Sequence, residues 1–245
     1  MIELHYFPNS HWSRAITLVL AEKGLSFERT LVDIRKNASF EPNYIGLNPR
    51  GVVPTLVHDG RVVTNGPTIA AYLDTVGGPP LCRPETASWA RRMEEFPLML
   101  FSYSVWVLGK RGERSASILD DKVSRAERYA AKYPEHAAAY ERKKRFFETF
   151  RDEVNDDEHV ARQSVVWGET LDELSGLVET HGMIHDSGYS FADAIATSVL
   201  YRLRDLKKLD DWVGADHPLQ RYLERLEARP SFGAVFRDDP LLASL

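Results

Sequence analysis

Residues 1–24 read MIELHYFPNSHWSRAITLVLAEKG, and their apolar period changes within one short loop. Ile2, Leu4 and Tyr6 alternate with Glu3 and His5, a period of two that predicts a strand. Pro8, Asn9 and Ser10 stop it. Trp12, Ala15, Ile16, Val19 and Leu20 then fall on one helical face, and Lys23-Gly24 closes the helix with a basic last turn and a glycine stop. Ser26 to Asp33, with Phe27, Leu31 and Val32, predicts a second strand. A loose connector follows. Thr55–Val57 and Arg61–Val63 flank His58-Asp59-Gly60, a hairpin signal with Asp-Gly at its tip. Ile69, Tyr72, Leu73 and Val76 give another helix face. The predicted order is strand, helix, strand, connector, strand, strand, helix.

Beyond this stretch the pattern changes. Gly77-Gly78-Pro79-Pro80 is the strongest breaker cluster and the natural linker. After it the periodicity is helical throughout. Trp89–Leu108 reads as one aromatic-rich helix, followed by Ser115–Lys132, Glu135–Val154 and Asp157–Thr180. Ser190-Phe191-Ala192-Asp193 reads as a capping box: the serine accepts a free backbone N–H and the acid three residues on reaches back. Ile195, Val199, Leu203 and Leu206 line the face behind it, and Leu219, Tyr222, Leu223 and Leu226 make the last helix. The expected domains are residues 1–78, mixed α/β, and residues 84–245, all-α.

The bulk numbers narrow the function. The chain has 245 residues, 31 basic and 36 acidic, for a net charge of −5. At about 150 residues per domain this length lies between one domain and two. The net acidity argues against nucleic acid as a main partner, which would need a basic stripe. No uncharged apolar run approaches the roughly 18 residues of a membrane span, and the opening residues do not read as a secretory signal. A single cysteine, Cys82, excludes an intrachain disulfide framework and a Cys-based zinc cluster. No metal is expected. A reducing, cytoplasmic setting fits. Charge clusters such as Glu141-Arg142-Lys143-Lys144-Arg145 read as solvated helix faces.

Three segments could carry chemistry. At Ser10-His11-Trp12-Ser13 two hydroxyls stand three apart at a helix start, where unpaired N–H groups and the dipole favour an anion, a thiolate included. The plain alternative is that Ser10 or Ser13 only caps the helix. At Gly51-Val52-Val53-Pro54-Thr55 a proline opens a strand; a cis Val53–Pro54 bond would turn the Val53 backbone outward to pair with an extended peptide ligand. At Val63-Thr64-Asn65-Gly66-Pro67 a strand runs into a second helix N-terminus suited to a carboxylate.

The order "YFPNSHWSR", "NPRGVVPTLVHDGRVVTN" and "SGYSFADAIA" resembles the glutathione S-transferase superfamily over nearly the whole chain. Within it, "FEPNYIGLN", "VVPTLVHDGRVVTN" and "RAERYAAKYPEH" are similar to the tetrachlorohydroquinone reductive dehalogenases, relatives of the zeta-class isomerases. A looser similarity to bacterial β-aryl etherases rests on "LNPRGVVPTLVHDG". The resemblance implies an α/β thioredoxin-like N-terminal domain, an all-α helical C-terminal domain, a homodimer, and glutathione as co-substrate. Carried over by position, Ser10 would hydrogen-bond the glutathione sulfur. Val53 would pair through its backbone with the cysteinyl part, and Pro54 would be the cis proline. Asn65 and Gly66 would hold the γ-glutamyl carboxylate.

Two departures follow. The dehalogenases and zeta isomerases have S-x-C-S at the first helix, whereas this chain has Trp12 at the cysteine position. Reductive dehalogenation there resolves a glutathionyl conjugate by thiol exchange, which Trp12 cannot do, and Cys82 is not placed to substitute. Gly66 stands where the family has serine, which removes one hydroxyl ligand worth about 1.5–3 kcal/mol.

The expected chemistry is attack of a serine-stabilised thiolate on a hydrophobic electrophile. The electrophile is expected between the domains, walled by Phe7, His11 and Trp12 on one side and Phe101, Tyr103, Trp106 and Leu108 on the other. At helical spacing such aromatics also serve as core. His11 reads first as a solvent-facing helix residue; the alternative is a base or a hydrogen-bond partner for a substrate oxygen. Three classes stand: a transferase, including thiolytic cleavage of an aryl ether or carbon–halogen bond; a zeta-like isomerase, disfavoured without the cysteine; and a non-catalytic ligand-binding protein of the same fold.

Overall fold

A computed structural model describes residues 1–108, 113–214 and 216–242, with the side chains of 104–117 and 211 outside the description. The chain packs as two compact units, each assembled from separated stretches.

The first unit comprises Met1–Val32, Val53–Phe96 and Gly168 onward. Its sheet has the strands β1 (Ile2–Tyr6), β2 (Glu28–Leu31), β3 (Thr55–His58) and β4 (Arg61–Thr64) in the order β2-β1-β3-β4. β1 pairs in parallel with β2 and antiparallel with β3, and β3 pairs antiparallel with β4. The parallel pair requires a crossover, which α1 (His11–Glu22) supplies. The period-two reading of β1 holds: Ile2, Leu4 and Tyr6 are buried while Glu3 and His5 are half-buried. Lys23 caps α1, and Gly24 takes the left-handed φ of +64° that a glycine stop allows. Thr55 through Thr64 form the expected hairpin around Asp59-Gly60. After it come α3 (Gly66–Val76) and α4 (Ala87–Glu95).

Helix α9 (Phe191–Asp205) is the spine of this unit. Every residue from Phe191 to Leu200 is buried, and α1 and α4 pack against it. Its capping box forms as expected: Ser190 N–H and Oγ both reach the Asp193 carboxylate, at 2.8 and 2.7 Å. That carboxylate also accepts Ile184 N–H at 3.1 Å and the Tyr222 hydroxyl of α10 (Pro218–Glu227) at 2.7 Å.

The second unit joins Asp33–Val52 to Pro97–Trp167. It contains α2 (Pro42–Leu47), α5 (Leu98–Leu108), α6 (Glu113–Lys132) and α7 (Ala137–Asn155); α8 (Asp157–His181) starts here and ends in the first unit. Phe40, Ile45, Ala126, Ala139 and Tyr140 form a buried cluster, with the Tyr140 hydroxyl donating to the Phe40 carbonyl at 2.7 Å.

The ammonium of Lys143 lies inside this unit, 5% exposed, donating to the Gly51 carbonyl at 2.7 Å with the Phe40 ring 4.3 Å away. Burial, with the Lys122 cation adding to it, pushes its pKa down to about 7. An unfolded lysine holds its proton to about 10.4. Between those values the unfolded chain binds more protons, so this group makes stability rise with pH above 7. Urea midpoints should rise from pH 7 to about pH 9 in the native protein, and Lys143→Met should abolish that rise. An unchanged slope in the variant would remove Lys143 as its source.

Five sequence expectations need correction, the first being Lys143: read as part of a solvated helix face, it is 5% exposed. The connector is not loose: two 3-10 turns and α2 occupy it. The expected helix Trp89–Leu108 is two, because Phe96-Pro97 breaks it; proline cannot donate its N–H and biases the preceding residue away from helix. A further helix, α11 (Pro230–Phe236), follows α10. β2 is shorter than Ser26–Asp33, covering four residues.

Candidate active site

Ser10 is the N-cap of α1, with extended backbone (φ −81°, ψ 125°). Its Oγ accepts the Ser13 N–H at 3.4 Å, so the hydroxyl proton is left free to donate elsewhere. Ser13 differs: it is wholly buried and its Oγ accepts the Phe7 N–H at 3.2 Å. Of the two hydroxyls three apart, only that of Ser10 is partly exposed at the helix start. The free N–H groups of the first turn give that place a positive potential.

Arg14 fixes the loop that carries Ser10. Its Nε donates to the Pro8 carbonyl and its Nη2 to Asn9 Oδ1, both at 2.8 Å. The guanidinium lies 4.8 Å from the Phe236 ring centroid and 5.3 Å from that of Tyr201, with Asp205 at 4.0 Å. A buried cation held on three sides makes a rigid clamp. Sequence reading missed it; the signal was an arginine immediately before the mostly apolar run Ala15–Leu20.

The Val53–Pro54 peptide is cis. Val53 is 8% exposed, and among the described residues its backbone N–H and C=O enter no hydrogen bond. Just before it the loop is pinned: Tyr44 OH and Asn48 Nδ2 donate to the Val52 carbonyl at 2.7 and 2.9 Å. An unpaired backbone at the mouth of a strand suits an extended ligand.

Asn65 caps α3 at φ +73° and ψ 124°, a positive-φ conformation outside the left-handed helical well, and its Oδ1 accepts the Thr68 N–H at 3.5 Å. Gly66 is buried at the first position of α3. The Trp12 indole lies against it: a Cβ at residue 66 would fall 2.3 Å from Trp12 Cε3. So Ser10, Trp12, Val53, Pro54, Asn65 and Gly66 all belong to the first unit.

His11 sits beside Trp12, ring centroids 5.5 Å apart. Desolvation, then the cations of Arg202 and Arg14, push its pKa down to about 4, so the ring is neutral at pH 7. Arg202, near the end of α9, is a further cation that sequence reading did not single out. Phe7 is 3% exposed. In the second unit Phe101 is buried, and Tyr103 packs edge-on to Phe150 at 5.3 Å, with burial raising its pKa. The Trp106 and Leu108 side chains lie outside the described residues.

Cys82 is exposed, yet desolvation and the Asp74 carboxylate push its thiol up to about 12, so it stays protonated. A cavity of about 280 Å³ lies against it, lined by Pro67, Ala71, Ala87, Ala90 and Phe191 among others. Ser10, Val53, Pro54, Asn65 and Gly66 do not line it. Among the described residues no group of His, Cys, Asp and Glu could hold a metal ion, and no helix is long and apolar enough to cross a membrane.

Residues 9–76 match the glutathione S-transferase N-terminal domain family. The tetrachloro-p-hydroquinone reductive dehalogenase of Sphingobium chlorophenolicum is 31% identical over 238 residues, 94% of each chain. The crystal structure of β-etherase LigF from Sphingobium sp. strain SYK-6 superposes with a TM-score of 0.75 at 25% identity, covering 97% of this chain and 99% of that one. A Sulfitobacter glutathione transferase homologue, solved with bound glutathione, shares the fold at a TM-score of 0.57 and 18% identity, over 96% of each chain. With the family's N-terminal domain matched over residues 9–76 and a relative 31% identical over 94% of this chain, the chain belongs to the glutathione S-transferase family.

Proposed function

We propose that the protein is a serine-type glutathione transferase acting on a hydrophobic electrophile. The observation that carries this reading is the difference in exposure between the two serines: Ser13 is wholly buried, while the Ser10 hydroxyl is partly exposed at the N-terminus of α1 with a proton to donate. Glutathione would lie along Val53, pairing with its free backbone groups, with its γ-glutamyl carboxylate at Asn65 and Gly66. Residues 1–78 are assigned to thiol binding and residues 84–245 to the electrophile. The family's usual homodimer and a cytoplasmic setting go with this reading.

Ser10 would donate its O–H to the thiol sulfur and favour the thiolate. The thiol proton leaves to solvent; the sulfur lone pair forms the new S–C bond, and the leaving group departs with its electron pair. A phenolate or halide leaving group fits this substitution, and the dehalogenase and β-etherase relatives favour that class over simple addition. Trp12 at the cysteine position provides no thiol for a second exchange, so the reaction ends at the thioether. His11, neutral at pH 7, is a poor base there and suits a hydrogen bond to a substrate oxygen.

The test is titration with glutathione, read by calorimetry and by thiolate ultraviolet absorbance at pH 7. Binding accompanied by a thiolate band is expected. Binding without the band, and without turnover of an aryl ether or haloarene, would favour a ligand-binding protein instead.

A further inference from the structure

Nothing in the backbone explains why residue 66 is glycine. Its φ lies outside the left-handed region, and it opens a regular helix. What excludes a side chain is volume: besides the 2.3 Å approach to Cε3, a Cβ there would lie 2.6 Å from Trp12 Cζ3 and 3.2 Å from Cδ2. The obstacle is a rigid ring half-enclosed by its surroundings, not the loose end of a flexible chain. The two departures from the family pattern, Trp12 and Gly66, are therefore one event in space, although 54 positions separate them in sequence.

The same place is poor in hydrogen-bond donors. Pro67 has no N–H, and the Thr68 N–H turns back to Asn65 Oδ1. That leaves the Gly66 N–H as the amide donor of the first turn, with an indole beside it. An indole face attracts an ammonium group and shields it from water.

We propose that Trp12 and Gly66 are a matched pair that sets affinity for the thiol co-substrate, with the Trp12 indole forming the wall against the α-amino-acid head of that ligand. This deepens the transferase reading above and rests on it. The indole takes over from the missing hydroxyl, and Gly66 is the vacancy that lets the ring sit there. Trp12 is thus a specificity-determining residue.

The experiment is a double-mutant cycle of Trp12→Ala, Gly66→Ser and both together, read as the glutathione Kd and as the melting temperature of the free protein. Gly66→Ser alone should weaken binding about tenfold or more and lower the melting temperature, since the new side chain collides with the ring. Trp12→Ala alone should also weaken binding about tenfold through loss of the indole. The double variant should recover most of both losses, because removing the ring opens space for the serine hydroxyl to serve as ligand. Additive losses, or a Gly66→Ser protein that binds as well as the native one, would overturn the pairing while leaving the transferase reading intact. Native protein that binds no glutathione overturns both.

Discussion

Replacing Ser10 with alanine is expected to cut kcat/KM with glutathione by up to about fiftyfold at pH 6.5 and to move the pH–rate midpoint up by as much as about two units. A free thiol of this kind has a pKa near about 8.5. Lowering it by about two units corresponds to roughly 2.7 kcal/mol of preference for the thiolate. At pH 6.5 the thiolate fraction then falls from about one half to about one hundredth when the shift is lost. The Ser10 hydroxyl is the donor placed to supply most of that preference, because it is the partly exposed hydroxyl at the start of α1. The helix terminus remains in the variant and retains a share. Ser13→Ala is the contrasting change. It removes the Ser13 Oγ acceptor of the Phe7 N–H in a buried site and should lower the melting temperature while leaving the pH midpoint in place. If instead Ser13→Ala moves the midpoint and Ser10→Ala does not, the roles are exchanged and the family membership stands.

Asp193→Ala should destabilise the protein by about 4 kcal/mol or more, the largest stability effect expected of any single substitution considered. The carboxylate is 0% exposed and receives four donors: Ser190 N–H and Oγ, Ile184 N–H and Tyr222 OH, all within 3.1 Å. Alanine leaves these groups buried and unpaired, and each orphan costs about 1–3 kcal/mol. It also removes the acidic half of the capping box of α9, against which α1 packs. Because α1 carries Ser10, partial unfolding here would also show as lost activity. Tyr222→Phe removes one donor and keeps the cap, so a loss of about 1 kcal/mol is expected. Equilibrium urea unfolding of both variants checks the pair; an Asp193→Ala loss below about 1 kcal/mol would show that water or rearrangement satisfies these groups.

Much of the fold was legible because its signals are local. β1 and α1 were readable from a change of period inside a few residues, the hairpin from Asp59-Gly60, and α9 from Ser190 and Asp193 three positions apart. The misses have local causes too. Pro97 sat inside an apolar run long enough to mask its break, and α2 and α11 are six and seven residues, too short for a helical period to stand out. The site residues were legible through order and spacing, which pointed to Ser10, Val53, Pro54, Asn65 and Gly66 together. Their working relations were not. Spacing could not choose between Ser10 and Ser13, since both lie in the first turn region and only burial separates them. Arg14 gave no local signal of its role, which depends on Pro8, Asn9, Tyr201 and Phe236 around it.

By itself the amino-acid sequence determined the order of elements, the two helix N-termini that could receive anions, and the absence of a thiol beside Ser10. These depend on hydrogen bonds and side-chain periods that act over a few residues. Only the tertiary structure decided which serine hydroxyl stays exposed, that a lysine is buried beside Gly51, and why Gly66 has no side chain. Those outcomes are set by excluded volume and desolvation among residues far apart in the chain, and such effects exist only once the chain has packed.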